Sequence, residues 1–360
     1  GMVMFNLNFN CINSESEDNQ LIHLVSDMLE CGYKLDFELF PIWRLLNKPF
    51  GSNWAKYIRA NDKFIEICMK HIENVEKSNQ IHTPNDTCFS METISPSVTS
   101  SGCPFSRTKV SDATTTRTSE ATTLNDNEIE TRLDQQYKNC FVSKLLSSGE
   151  FSKNDVTSLI LDLVMAGIDS TAHHFIFNLF NLAKNQNGQE ELFQEINSLN
   201  DLSFESIDKM KFMNALMKET HRTLPVVIGT NRILEKDLII KGFLVPKGTL
   251  AVLTTYVGCH LDKYFYKSNE FMPKRWLRNS NEDGQNDYES SKSNPFLMLP
   301  FGFGPRMCIG KRLAEFEVKM LIVKLIRRFR IEYDGDEINL KTKFINCPMK
   351  PLKFKFTPRN

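Results

Sequence analysis

The sequence predicts a mainly α-helical protein with small β-sheets, and three observations support this fold class. Apolar residues recur at helical spacing over long stretches, such as residues 20–77 and 152–182. Short runs rich in β-formers lie between residues 230 and 255, where Pro246-Lys247-Gly248 marks a turn. At 360 residues the chain is long enough to bury a large core, as one large domain or two.

The first helices are predicted within residues 20–77, where residues 40–44 separate two of them. Ser152 and Asp155 have the spacing of a capping box, which predicts the start of a long helix. The apolar pattern of this helix is interrupted at Ala166-Gly167 and then resumes. A further helix is predicted from Ile207 to Thr223, because a proline follows soon after.

Short strands and one polar segment complete the predicted organisation. Strands are expected at Thr230–Leu234, Leu238–Ile240 and Thr249–Thr255, and a closing pair near residues 329–333 and 352–356. Ser and Thr supply 19 of residues 81–130, so this stretch buries too little apolar surface to order itself. The sequence therefore predicts three regions, which are helical residues 1–77, a disordered Ser/Thr-rich insertion at 78–135, and the main core at 136–360.

Composition excludes several kinds of partner and site. The 44 basic and 44 acidic residues give a formal net charge of zero, so no binding of nucleic acid is predicted. Nine cysteines without a C-x-x-C pair indicate neither a disulfide framework nor a zinc site. No run of 18 uncharged apolar residues occurs, so no membrane-spanning helix is predicted. The start at Gly1-Met2 suggests a fragment, and no secretory or transit segment is visible.

The decapeptide from Phe301 to Gly310 is the most informative segment of the chain. It places Cys308 in a Gly-rich loop directly before a predicted amphipathic helix, whose free N–H groups would point toward the sulfur. Gly304 and Gly310 permit backbone conformations, and close approach to a flat macrocycle, that a Cβ would forbid. Arg306 is placed to pair with a carboxylate. This arrangement is expected for a thiolate held against a haem iron, and the alternative is a buried structural thiol.

Two further clusters of polar residues stand out. Glu219 and Arg222 are three residues apart and so share a helix face, which alone indicates an ordinary surface ion pair. The segment from Ala166 to Thr171 places a glycine beside hydroxyl groups in mid-helix, and hydroxyls compete for helical carbonyls. The segment therefore predicts either local widening at a functional site or a glycine where two helices cross closely.

Together these motifs resemble the cytochrome P-450 family. The loop at 301–310 matches the family's F-x-x-G-x-R-x-C-x-G signature at all six fixed positions. The E-x-x-R of residues 219–222 and the P-x-R-W of residues 273–276 precede it in the family's order. Residues 166–171 resemble the family's oxygen-activation motif. The resemblance covers nearly the whole chain outside the Ser/Thr-rich stretch, and it implies a cytochrome P-450 fold that is N-terminally truncated.

The resemblance implies a role for each matching residue. Haem b would be held by Cys308 as axial iron ligand, with Phe301, Gly304, Arg306, Gly310 and Arg232 as further cofactor-binding residues. Glu219, Arg222 and Arg275 would form a buried structural network behind the haem. Asp169, Ser170 and Thr171 would be catalytic, as the acid and the hydroxyls that deliver protons. Ser170 stands where the family usually has threonine.

The resemblance also implies a function, which is a haem-thiolate monooxygenase that inserts one atom of O2 into a hydrophobic, sterol- or steroid-like substrate. Residues 218–227, 242–248 and 306–315 look most like the mitochondrial branch of animals, whose electron donor is a ferredoxin fed by an NADPH-dependent reductase. Such a donor would dock on basic residues, namely Lys211, Lys218, Lys311, Arg312 and Lys319. Val226, Val227 and the turn near Cys347 match the family's substrate-lining positions.

The same branch implies a location and leaves one alternative function. A peripheral position on the mitochondrial inner membrane is expected, and the endoplasmic reticulum membrane is the alternative. Nothing in the chain matches the family's N-terminal β region and early helices. The alternative function is therefore a non-catalytic, truncated family member that binds haem weakly or not at all.

Overall fold

The computed structural model describes residues 17–36, 52–80, 140–277 and 294–359, and helices dominate this part of the chain. The predicted fold class, mainly helical with small β-sheets, is confirmed. Contacts divide the chain into two units, residues 1–9 with 68–158 and residues 10–67 with 159–360. Nearly all of the predicted insertion at 78–135 lies outside the described residues, so the three predicted regions stay a prediction.

The elements are numbered here in chain order. The described helices are α1 (Glu17–Asp36), α2 (Ser52–Gln80), α3 (Phe141–Ser147), α4 (Lys153–Lys184), α5 (Gln186–Asn197), α6 (Phe204–Asp208), α7 (Lys211–Thr223), α8 (Thr255–Cys259) and α9 (Lys311–Arg328). The strands are β1 (Thr230–Ile233), β2 (Leu238–Ile240), β3 (Phe243–Val245), β4 (Leu250–Leu253), β5 (Phe329–Glu332), β6 (Leu340–Lys343), β7 (Ile345–Pro348) and β8 (Lys355–Pro358). They form antiparallel pairs β1–β4, β2–β3, β5–β8 and β6–β7.

The first unit contains the end of α2, all of α3 and the beginning of α4. The predicted capping box forms at the start of α4, since Asp155 N donates to Ser152 Oγ at 3.2 Å and Ser152 N donates to Asp155 Oδ2 at 3.1 Å. Lys153 Nζ contacts Glu76 Oε2 at 2.7 Å. The cap satisfies N–H groups that the first helical turn leaves without partners.

The core of the second unit is built from α5, α7, α9 and the last turns of α4. Its fully buried members come from all four helices and from β5, and include Leu182, Leu192, Met213, Val318, Ile322 and Ile331. Each such side chain contributes about 1.5–3 kcal/mol by leaving water. This core fixes α7, which carries Glu219 and Arg222, and α9, which directly follows the Cys308 loop.

One boundary differs from prediction. The predicted helix Ile207–Thr223 is two helices, α6 and α7, which break at Met210. The carboxylate of Glu195 on α5 accepts from Phe212 N at 2.9 Å and from Met213 N at 3.0 Å, so a distant side chain caps α7. The long helix predicted from the capping box is observed as α4, which continues through Ala166-Gly167, where the apolar pattern is interrupted.

One described helix, α4, is long and apolar enough to cross a membrane, by length and composition only. Its residues Leu179, Leu182 and Ala183 pack in the core cluster of the second unit. A buried helix of a globular protein passes the same test, and the last turns of α4 do lie in a protein core.

Candidate functional site

The loop around Cys308 folds back on itself and presents its thiol outward. Gly302 and Gly304 have φ angles of +73° and +77°, which residues with a Cβ rarely adopt. Cys308 N donates to Phe301 O at 2.8 Å, and Met307 N donates to Gly304 O at 2.9 Å across the 3₁₀ turn Gly304–Arg306. Helix α9 then begins with Gly310 as its N-cap. The loop is therefore held by its own backbone.

The surroundings of Cys308 fit a large, flat and mostly apolar group. Among the described cysteines Cys308 is exposed and the other five are buried, which contradicts the interpretation as a buried structural thiol. Phe303, Met307 and Ile309 leave 64%, 50% and 80% of their surface exposed beside it. A thiol donor within an exposed apolar patch, on a backbone that glycines keep open, suits a haem.

The two arginines predicted for the cofactor are both exposed. Arg306 ends the 3₁₀ turn two residues before Cys308. Arg232 lies on β1, two residues after Thr230, so the two share a face of the strand. A Cβ on Gly302 would lie 4.0 Å from Thr230 Cγ2, so the start of β1 adjoins the Cys308 loop. The structure thus brings β1, the strand of Arg232, next to the loop that carries Arg306.

Glu219 and Arg222 form a fully buried ion pair on α7. Arg222 Nη2 donates to Glu219 Oε1 at 2.7 Å, and Arg222 Nε donates to Glu219 Oε2 at 3.0 Å. Both side chains are completely buried, so the surface ion pair that the spacing alone indicated is wrong. Arg275 Nε donates to Glu219 Oε1 at 3.1 Å. The structure therefore brings together all three residues predicted for the network.

Sequence reasoning missed a fourth side chain of this network. The indole Nε1 of Trp276 donates to Glu219 Oε2 at 2.9 Å, and the backbone N–H of Met272 donates to Oε1 at 2.8 Å. The carboxylate thus accepts five hydrogen bonds from four residues. Arg222 also donates to the carbonyls of Cys259, Ser268 and Glu270, at 2.8, 2.5 and 2.8 Å. The signal was present, because Trp276 directly follows Arg275.

The middle of α4 carries the predicted proton-delivering residues. Asp169 is buried, and burial raises the pKa of its carboxyl group. Ser170 Oγ donates to Ala166 O at 2.6 Å, so the predicted competition for a helical carbonyl occurs without breaking the helix. Thr171 is half-buried. Among the described residues, none would lie within 4 Å of a Cβ on Gly167, which contradicts a close crossing of described helices there and leaves room for a bulky ligand.

A pair of buried histidines connects α4 to the Cys308 loop. The rings of His174 on α4 and His221 on α7 stack at 4.0 Å between centroids and 8° between planes. The His221 ring in turn meets Phe301 edge-on at 5.1 Å. Burial lowers the pKa of His174 to about 4 and that of His221 well below its usual range, so both rings are neutral. Sequence reasoning treated His174 as a core or surface histidine and did not find the stack.

The predicted electron-donor surface is mostly, but not wholly, exposed. Lys211, Lys218 and Arg312 are exposed and Lys311 is half-buried. The charges of Lys311 and Lys218 both oppose the rise that burial causes in the pKa of Glu315, so these lysines face one carboxyl group. Lys319 is a correction, because it is buried and its Nζ contacts Asp208 Oδ1 at 2.8 Å. A lysine that holds α9 to α6 is not part of an exposed docking surface.

The segments predicted to line a substrate pocket are joined directly. Asn346 N donates to Val226 O at 2.7 Å, and Asn346 Nδ2 donates to Pro225 O at 2.8 Å. Asn346 precedes Cys347 on β7. Two hydrogen bonds therefore hold the backbone after α7 against the β6–β7 hairpin.

Comparison with known proteins agrees with this geometry. The family model described as Cytochrome P-450 matches residues 1–357. The chain is similar to "Probable cytochrome P-450 12a5, mitochondrial" of Drosophila melanogaster, with 37% identity over 62% of the chain and 42% of that protein. It is similar to "Probable cytochrome P-450 49a1" of the same organism, with 28% identity over 100% of the chain and 54% of that protein.

"Cytochrome P-450 302a1, mitochondrial" of Drosophila melanogaster is 34% identical over 59% of the chain and 43% of its own length. The chain thus spans about half the length of the curated relatives it matches. The family model nevertheless covers almost every residue of the chain. With its exposed Cys308 in the signature loop and its buried Glu219–Arg222–Arg275 network, the chain belongs to the cytochrome P-450 family.

Proposed function

We propose that the protein is a haem-thiolate monooxygenase, which inserts one oxygen atom of O2 into a hydrophobic, sterol- or steroid-like substrate. The single observation that carries the proposal is the exposed Cys308 thiol in its backbone-held loop within an apolar patch. Membership of the family supports the reaction class. The substrate class rests on the resemblance to the mitochondrial branch.

Haem b is the proposed cofactor, and the residues of the signature loop would hold it. Cys308 is the proposed axial ligand, while Phe301, Gly304 and Gly310 shape the loop around it. Arg306 and Arg232 would pair with the propionates, since a guanidinium suits a carboxylate. When bound, the haem supplies the activation of O2, which no protein side chain provides.

Asp169, Ser170 and Thr171 would supply protons at this site. A carboxyl group whose pKa is raised by burial stays available as an acid closer to neutral pH. Ser170 Oγ donates to Ala166 O, so its lone pairs remain available to accept a proton from a neighbour. Because serine lacks the methyl group that restricts threonine, we expect part of the oxygen to be reduced unproductively.

The buried network would act structurally rather than chemically. Glu219, Arg222 and Arg275 tie α7 to the segment from Cys259 to Trp276 through side-chain and carbonyl contacts. A buried, fully hydrogen-bonded carboxylate holds its partners in one arrangement. We therefore assign these three residues, with Trp276, to positioning the core beneath the Cys308 loop.

Electrons would come from a ferredoxin-type donor that an NADPH-dependent reductase feeds. The proposed docking surface consists of Lys211, Lys218, Lys311 and Arg312, which lie on α7 and α9 and would complement an acidic partner. The names of two similar proteins include the word mitochondrial, which supports a mitochondrial location, with peripheral attachment to the inner membrane. The Ser/Thr-rich residues 78–135 are proposed to be an insertion within the haem domain.

One observation favours a second candidate, which is a non-catalytic family member that binds haem weakly. In the described residues β1–β4 leaves Ile233, Leu250 and Val252 exposed, and apolar side chains that stay in water add nothing to the binding of an apolar cofactor.

A reduced, carbon-monoxide-treated absorption spectrum distinguishes the two candidates. For the monooxygenase we expect the red-shifted Soret band of a thiolate-bound haem, and Cys308→Ser should lose it. Cys259→Ser is the matched control, because Cys259 is a buried cysteine outside the loop. Purified protein that takes up no haem under reconstitution would support the second candidate.

A further inference from the structure

His221 lies in the last turn of α7, where its neighbours on both sides are held by buried polar contacts. Before it, Thr220 Oγ1 accepts a hydrogen bond from Asn181 Nδ2 of α4 at 3.1 Å. After it, Arg222 donates two hydrogen bonds to the buried carboxylate of Glu219. A shift of this backbone would break buried polar contacts, which is costly. The helix therefore holds the His221 ring in a fixed place.

The His221 ring contacts one aromatic ring on each of two other elements. It stacks on His174 of α4 with 4.0 Å between centroids and 8° between planes, and it meets Phe301 at 5.1 Å and 77°. His174 is four residues after Ser170 and so shares its face of α4. The three rings, called here the ring chain His174–His221–Phe301, thus connect the Ser170 face of α4 with the loop of Cys308.

The imidazole of His221 acts in this chain through its shape. Its Nε2 atom is buried and, in the part of the chain that the structure describes, has no hydrogen-bond partner. A buried nitrogen without a partner costs free energy, which an apolar ring of the same shape would avoid. Aromatic rings that stack or meet edge-on stabilise each other beyond the area they bury. The contribution of His221 therefore lies in its ring contacts.

Phe301 transmits its position to Cys308 through the backbone. Its carbonyl oxygen accepts the hydrogen bond of Cys308 N at 2.8 Å, which closes the loop. Lys311 Nζ lies 5.5 Å from the centroid of the same Phe301 ring. Since side chain and carbonyl belong to one residue, a displaced Phe301 ring displaces the acceptor of the Cys308 N–H group. The ring that His221 contacts is thus one residue away from the sulfur-bearing residue in the hydrogen-bond pattern.

We propose that His221 is a positioning residue for the Cys308 loop. Its ring, fixed by α7 and stacked on His174, holds Phe301 and through the Phe301 carbonyl the backbone of Cys308. The inference rests on the proposed function, because the loop matters as the holder of a thiolate ligand. The ring chain would also keep the Ser170 face of α4 at a constant distance from the loop.

The first test follows the Cys308 amide in the haem-free full chain. Nitrogen-15 NMR of protein labelled at cysteine records hydrogen exchange, and Cys308→Ser identifies the signal. His221→Leu keeps an apolar side chain but removes the ring, so the Cys308 amide should exchange about two- to tenfold faster, as the loss of one aromatic pair predicts. His221→Met should do the same, should His221→Leu fold poorly. His221→Phe keeps a flat ring and should retain the wild-type rate.

Two controls separate positioning from general stability. The amide of Cys347, on β7 outside the loop, should keep its exchange rate in His221→Leu. His173→Leu removes a neighbouring ring of α4 that contacts Phe177, and it should leave the Cys308 amide unchanged. Wild-type exchange of the Cys308 amide in His221→Leu overturns the proposal, and so does an equal acceleration at Cys347.

The second test measures the reduction potential of the haem-loaded protein by spectroelectrochemical titration. Hydrogen bonding and packing around a ligating sulfur set the potential of its iron. His221→Leu should therefore shift the potential away from the wild-type value, whereas His221→Phe should retain it. A residue that only stabilises the fold would leave the potential of the folded protein unmoved. Equal potentials in His221→Leu and wild type overturn the proposal.

The two proposals fail in different ways. A wild type without the thiolate–carbon monoxide spectrum defeats the monooxygenase, while hydrogen exchange in the haem-free chain still judges the link between His221 and Cys308. A wild type with the normal spectrum, and a His221→Leu variant indistinguishable from it in both tests, defeats the positioning role alone.

Discussion

At the scale of single residues, the Glu219 carboxylate is a buried charge to which several other residues donate hydrogen bonds. Five hydrogen bonds from Arg222, Met272, Arg275 and Trp276 surround it in a site without solvent contact. Moving a charge out of water is costly, and only close partners of opposite charge and full hydrogen bonding offset this. If one partner is lost, most of the free-energy cost of burying the carboxylate is therefore no longer offset.

Arg222→Met should destabilise the protein by about 3–5 kcal/mol, because it leaves Glu219 buried with Arg275 as its remaining cationic partner. Urea unfolding followed by circular dichroism measures the change. Exposed Arg330→Met is the matched control, with an expected change within about 0.5 kcal/mol. Equal stability of Arg222→Met and wild type would contradict the described network.

The His174–His221 stack should make stability depend on acid. Both histidines have lowered pKa values in the fold, so the unfolded chain binds their protons first as the pH falls. Their contribution is therefore complete above about pH 6.5, the ordinary value, and declines as the pH falls toward 4. His174→Phe should flatten the fall in unfolding free energy between pH 7 and 4.

Urea unfolding at several pH values tests this dependence. The slope should decrease in His174→Phe by about one proton taken up on unfolding. Replacing His23, which is exposed on α1, by Phe should leave the slope as in the wild type. Identical slopes for His174→Phe and wild type would mean that the stack carries no linked protons.

At the scale of elements, sequence patterns predicted which helices exist better than how they begin and end. The capping box of α4 was visible because Ser152 and Asp155 are near neighbours in the chain. The break between α6 and α7 was not visible, because the cap comes from Glu195, 17 and 18 residues before the N–H groups it binds. Local patterns cannot encode a partner that only the packing of α5 supplies.

The same limit applies to the middle of α4. A glycine beside hydroxyl groups predicted either local widening or a close crossing of helices, and α4 is helical from Lys153 to Lys184. The hydroxyl of Ser170 donates to the Ala166 carbonyl, so the predicted competition for a helical carbonyl occurs within a continuous helix. Tertiary packing outweighs the few tenths of a kcal/mol that such local preferences contribute.

Ser170 substitutions test the proposed role of α4. Ser170→Ala removes the hydroxyl and should lower product formation about a hundredfold, while the thiolate–carbon monoxide spectrum stays unchanged. Ser170→Thr restricts the rotamer and should raise the share of O2 that appears in product rather than in hydrogen peroxide. Product, peroxide and oxygen consumption are measured together. Ser170→Ala with wild-type product yield would remove the hydroxyl from the mechanism.

At the scale of the whole molecule, the order of motifs along the chain predicted which residues would meet. Glu219, Arg222 and Arg275 are up to 56 residues apart and converge as the resemblance implied. The sequence did not reveal a cavity at Asp169, because the elements that line it are distant in the chain. Glu30 on α1 and Lys343 on the β6–β7 hairpin, which are hydrogen-bonded to each other, are 313 residues apart. The sequence also did not predict the burial of Lys319, which depends on how α9 packs against α6.

The donor surface predicts a change in rate without a change in spectrum. Lys218→Glu or Arg312→Glu should slow reduction by an acidic ferredoxin and leave the haem absorption as in the wild type. Stopped-flow reduction at two ionic strengths measures this, since salt screens the attraction. Lys241→Glu, in the turn between β2 and β3, changes the net charge equally and should leave the rate unaltered. Equal rates in all variants would place docking elsewhere.

The exposure of Cys308 has a practical consequence for work with the haem-free chain. Five of the six described cysteines are buried, so an alkylating reagent under native conditions reaches Cys308 before them. Any group that covers this loop would shield the sulfur from the reagent. The extent of modification on the peptide that contains Cys308, read by mass spectrometry, therefore measures the fraction of protein in which a bound group covers the loop.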